Sequence, residues 1–177
     1  FLRQTIKEIP NLKAEENRQY FTIAFAQLLW KYDEKESRKL LEETMKDLVK
    51  SYSNTVSEAK KANIKLDGYS DTWVNSTKPL TQEQIRMFSN FRMVSENQKL
   101  LLNLLISYDP ETAYQFFIQI PDFPRNSSDS GYYSSYQPRI VEALLEKNKT
   151  EKALEIAHEM LNKEFSSTYI DILRRIY

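Results

Sequence analysis

The sequence predicts an all-α protein built from antiparallel helix pairs, and three observations predict it. Only two glycines, Gly68 and Gly131, occur in 177 residues, whereas sheets joined by tight turns draw on glycine for positive φ. Apolar residues recur at the three-and-four spacing of one helix face along nearly the whole chain. A twelve-residue design of helix end, polar cap and returning helix also occurs three times. The length suits one domain, or about four to five helix pairs at roughly 35 to 40 residues each.

The first long helix runs from Ala14 to Tyr32, with Phe21, Phe25, Leu28, Leu29 and Tyr32 as its apolar face. Asp33 follows as an N-cap, and Leu41, Met45, Leu48, Tyr52 and Val56 mark a second helix to about Ala62. So short a connection makes antiparallel packing the expected outcome. Residues 63–80 hold Asp-Gly, Asn-Ser-Thr and Lys-Pro, which are turn pieces, and are read as a long loop partly packed down through Trp73. Thr81 with Gln84 predicts a reciprocal cap. The helix it opens carries Ile85, Phe88 and Phe91, then Leu101, Leu104, Leu105 and Tyr108, with a kink or exposed stretch expected at the polar run Ser95 to Gln98.

Asp109 and Pro110 fit an N-cap followed by proline at the first helical position. Ala113, Phe116, Phe117 and Ile120 make a short helix that Pro121 terminates. Residues 121–138 form the second long loop, rich in Asp, Asn, Ser and Tyr. Three helices close the chain, marked by Val141, Leu144 and Leu145, by Ala153, Ile156, Ala157 and Met160, and by Phe165, Tyr169, Ile172, Leu173 and Ile176.

The stretches Trp30 to Leu41, Ile106 to Phe117 and Glu146 to Ala157 superpose without gaps. Each places a small residue, Ser37, Ala113 or Ala153, where the returning helix approaches its partner, with an apolar pair three and four positions on. Within the third, Lys149-Thr-Glu-Lys-Ala-Leu-Glu-Ile-Ala-His-Glu-Met-Leu161 resembles the second helix of a tetratricopeptide-type repeat, with Ala153 and Ala157 at its small positions. The resemblance is loose elsewhere: the first helices lack the usual glycine, and a loop stretches the unit around residues 60 to 100. It implies one helical-repeat domain over residues 1–177, stacked as an irregular α-solenoid, and a scaffold that binds a protein or peptide partner.

Charge and motif exclude more than they assign. Lysine plus arginine equals aspartate plus glutamate, 25 against 25, interleaved along the chain. A phosphate-tracking protein carries a basic excess, so no nucleic-acid partner is expected. No apolar run is long enough to span a bilayer. Without cysteine, and with His158 as the single histidine, there is no thiolate or imidazole metal set. The adjacent acids Glu15-Glu16, Asp33-Glu34 and Glu42-Glu43 point about 100° apart on a helix and read as solvated faces. Isolated glycines give no phosphate loop, and no nucleophile elbow appears, so neither cofactor nor catalytic residue is assigned.

What remains is a binding reading. Asn126 to Tyr136 sets Tyr132, Tyr133 and Tyr136 among Ser, Gly and Asn, the chemistry of adaptable contact loops, and Trp73 stands in the other long loop. Asn75, Asn126 and Asn148 fit the N-glycosylation acceptor pattern, which matters only in a eukaryotic secretory pathway. The expected function is therefore a non-enzymatic interaction scaffold. The alternative is a structural or regulatory segment of a longer protein, which apolar Leu2 and Ile6 near the start would favour if exposed; an enzyme with an unrecognised site stands third.

Overall fold

A computed structural model describes residues 2–64, 66, 79–120, 136–161, 170 and 173–174. Among the described residues there are seven helices and no strand: α1 Leu2–Glu8, α2 Glu15–Leu29, α3 Glu34–Lys61, α4 Gln82–Tyr108, α5 Pro110–Ile118, α6 Tyr136–Glu146 and α7 Thr150–Leu161, with a short 3-10 turn Ile9–Asn11 after α1. The protein is all-α, and helices pack against their neighbours in sequence. Two compact units divide the chain, residues 1–101 and 102–177.

In the first unit α2 and α3 form the main hairpin, and α1 lies against α2. Asp33 caps α3 as expected: its carboxylate accepts from the Glu36 amide at 3.0 Å. That bond is the main force holding its carboxyl below the usual range, with Arg3 acting in the same direction. Ser37, Leu41, Thr44, Leu48, Tyr52 and Ala59 form the buried face of α3. The Ser37 hydroxyl donates to the Ala26 carbonyl of α2 at 2.7 Å, a direct sign of close approach. Tyr52 meets Phe91 of α4 with ring centroids 5.9 Å apart.

The polar run Ser95 to Gln98 does not interrupt α4. Its helix is continuous, and Ser95, Asn97 and Gln98 are buried. Asn97 donates to the Glu16 carbonyl of α2 at 2.9 Å, so this polar run is a packing surface rather than a solvent face. Ser95 Oγ and both amide atoms of Gln98 are buried without hydrogen-bond partners. The reciprocal cap at the start of α4 forms as predicted, Thr81 N donating to Gln84 Oε1 at 2.9 Å and Gln84 N to Thr81 Oγ1 at 3.2 Å.

In the second unit α5 packs on α6 and α6 on α7. Asp109 caps α5 through the Thr112 amide at 3.2 Å, with Pro110 in the first turn. Two of the three predicted repeat positions share one cap geometry, and all three open the returning helix with the same backbone hydrogen bond. Asp33 and Asp109 sit at φ −153, ψ 81 and φ −145, ψ 79. The carbonyls of Asp33, Asp109 and Lys149 accept from the amides of Ser37, Ala113 and Ala153 at 3.0, 2.9 and 3.0 Å. All three small residues are fully buried.

Two helix ends need a left-handed residue, and asparagine supplies it where glycine is scarce. Asn63 has φ 55 and Asn148 φ 58. Around each, two amides reach back to the helix, Asn63 N to Lys60 O with Ile64 N to Ala59 O, and Asn148 N to Leu145 O with Lys149 N to Leu144 O. This paired closure satisfies carbonyls that the helix end leaves over.

Candidate functional site

The face predicted to hold α2 in the core largely points outward. The residues that α2 buries are Gln19, Ile23, Ala26 and Leu29. Tyr20, Phe21 and Leu28 are 47%, 41% and 57% exposed, and Tyr32 in the following turn is 84% exposed. The correction has a physical reason. The α2 sequence carries apolar residues on opposite sides, and only one side can face α3 and α4. Ile23, Ala26 and Leu29 form a second three-and-three series in the same stretch, and that series is the one that packs inward. On the outer side, the Tyr20 and Phe21 rings meet edge to face at 5.4 Å between centroids.

A second surface feature of the first unit is a polar groove of about 220 Å³ between α2, α3 and α4. Glu15 and Glu16 from the first turn of α2, Ser51 and Glu58 from α3, and Arg86 from α4 line it. Ser51 Oγ lies 2.6 Å from Glu15 Oε1, and Gln19 Nε2 donates to Ser51 Oγ at 3.1 Å. Arg86 stands 3.9 Å from Glu58, both largely exposed. This arrangement ties helices together through hydrogen bonds. Among the described residues no group of three His, Asp or Glu side chains is placed to hold a metal ion.

In the second unit the Tyr114 hydroxyl donates to Glu159 across α5 and α7. Burial, and then the bond to that carboxylate, push the Tyr114 hydroxyl well above the usual tyrosine range. Lys152 lies 6.0 Å from the Tyr114 ring and 2.7 Å from Glu155.

Of the residues singled out from sequence, Tyr136 is fully buried. It lies in α6, so residues 136–138, expected in the second long loop, are helical. Arg139 sits 5.4 Å over its ring and donates to Asn103 at 2.8 Å. Tyr136 is thus a core residue of the second unit rather than a contact residue on a loop. Asn148 is exposed at the turn between α6 and α7, where its left-handed backbone accounts for it. His158 is exposed on α7. Tyr132, Tyr133, Trp73, Asn75 and Asn126 lie outside the described residues, as does most of the last predicted helix.

No family model, curated protein or solved structure matches the chain. Among the described residues, no helix is long and apolar enough to cross a membrane.

Proposed function

We propose that this chain is a non-enzymatic interaction scaffold of tetratricopeptide-like helical repeats that receives a protein or peptide partner. The observation that carries this reading is the outward apolar surface of α2, where Tyr20, Phe21, Leu28 and Tyr32 leave large side chains in water on one helix and its following turn. Contiguous exposed apolar surface of this kind marks interaction sites, and tyrosine is among the residues that dominate binding energy. The shared cap geometry of Asp33 and Asp109 supports the repeat class. Leu2 and Ile6 are half-buried, which removes the observation that would have favoured a purely structural segment.

The test is affinity capture from the native source with the intact chain and with a Phe21→Ser/Leu28→Ser variant. A partner retained by the first and lost by the second is the expected result. Equal recovery of every bound protein by both overturns the assignment of the interaction to α2.

A further inference from the structure

The outer face of α2 has an order that narrows its occupant. Phe21, Phe25 and Leu28 follow at four and three residues, and exposed Tyr32 comes in the turn beyond. That is the seam spacing of two helices packed side by side. A stripe one helix wide is matched by an amphipathic helix laid along it, its own apolar residues at the same spacing.

The charges around the stripe select among such helices. At the end near Tyr32, Asp33 and Glu36 are engaged by Arg3, and Glu34 by Arg38. Lys31 and Lys35 are exposed and stand in no salt bridge among the described residues. At the other end Arg18 donates to the carbonyls of Leu12 and Lys13, which are neutral acceptors. No acidic residue occurs between Asn17 and Tyr32. A second copy of the chain is poorly matched to this rim. Laid antiparallel it brings Lys31 toward Arg18 of its mate, and laid parallel it brings lysine toward lysine, both like-charge contacts that oppose pairing. An anionic bilayer is matched less well than a helix, since interfacial helices carry many cations along a solvated polar face. The side of α2 opposite the stripe is instead buried in its own unit.

We propose that the α2 stripe docks an amphipathic α-helix of a protein partner, with acidic residues flanking that helix's apolar seam. This rests on the interaction reading above and adds the partner's chemistry to it.

The probe is a synthetic helical peptide with leucine at the seam positions and glutamate along both edges, compared with a peptide carrying lysine at those edges. Fluorescence anisotropy measures the binding of each to the whole chain and to the Phe21→Ser/Leu28→Ser variant, with thermal melting as the check on folding. Saturable one-to-one binding of the glutamate peptide is expected, weakened by salt and at least about tenfold weaker for the lysine peptide and for the variant. If the double variant melts early, Tyr32→Ser at the most exposed position replaces it with the same expectation. Absence of binding, equal binding of both peptides, or undiminished binding to the variant overturns the proposal. So does self-association in sedimentation equilibrium, or co-sedimentation with phosphatidylserine vesicles, that the variant abolishes. A native partner captured through the stripe while neither peptide binds leaves the interaction reading standing and removes the acidic helix alone.

Discussion

At the scale of single residues, the chain solves two local problems without the usual side chains. Asn63 and Asn148 hold the left-handed positions at helix ends that glycine fills in most proteins. Asn148→Ala is expected to cost about 1 kcal/mol and Asn148→Gly to be neutral or mildly stabilising, read by urea denaturation. Equal stability of the two variants would show that backbone conformation does not explain this residue. Tyr114 is the other case. Its folded-state value is raised above the unfolded one, so its contribution to stability is complete below the ordinary tyrosine value of about 10 and declines as pH rises through and above it. Phenolate absorbance on alkaline titration should therefore show tyrosine that ionises only with unfolding, and Tyr114→Phe should reduce that class by one residue. If every tyrosine titrates normally in the folded chain, the Tyr114 to Glu159 bond is not formed in solution.

At the scale of elements, what decides each helix is how its faces are divided. Gln98 in α4 is fully buried with neither amide atom bonded. Because an unsatisfied buried polar group costs about 1 to 3 kcal/mol, Gln98→Met, similar in shape and apolar, should raise stability by a comparable amount. A loss on thermal melting would show that the amide is satisfied in solution. Ala153 is fully buried where α7 meets α6, and Ala153→Leu should overpack that contact at a cost of about 1 to 3 kcal/mol. An unchanged melting temperature would count against close packing at the repeat position.

The same scale shows what sequence could and could not reveal. Asp33, Thr81 and Asp109 were legible because a capping side chain bonds to amides within its own turn, a contact fixed by local spacing. The inner face of α3 was legible because its outer face is charged. The outer surface of α2 was not, since Phe21 and Leu28 are chemically as fit for a core as Ile23 and Leu29, and only the placement of α3 and α4 chooses between them. Ser95 to Gln98 misled for the converse reason. Asn97 is tolerated inside because a carbonyl from α2, distant in sequence, accepts its proton. Tyr136 looked like a loop residue because Ser and Gly precede it and Pro138 follows, yet Tyr136 and Pro138 both lie in α6.

For the whole molecule, charge balance leaves the recognition proposed above to local surface. With 25 basic and 25 acidic residues the chain has no net charge at pH 7, so long-range steering of a charged partner would be weak. The two units differ in what they present. The first exposes the strip and a polar groove, while the second places its aromatic residues Tyr114, Phe116 and Tyr136 inside.

The turns themselves carry a consequence in time. The α2 to α3 turn spans Trp30 to Asp33, the α4 to α5 turn is Asp109 alone, and the α6 to α7 turn spans Lys147 to Lys149. Loops this short close in well under a microsecond and sacrifice little chain entropy. Each of these turns can therefore close as soon as the two segments it joins have been synthesised, without waiting for distant parts of the chain.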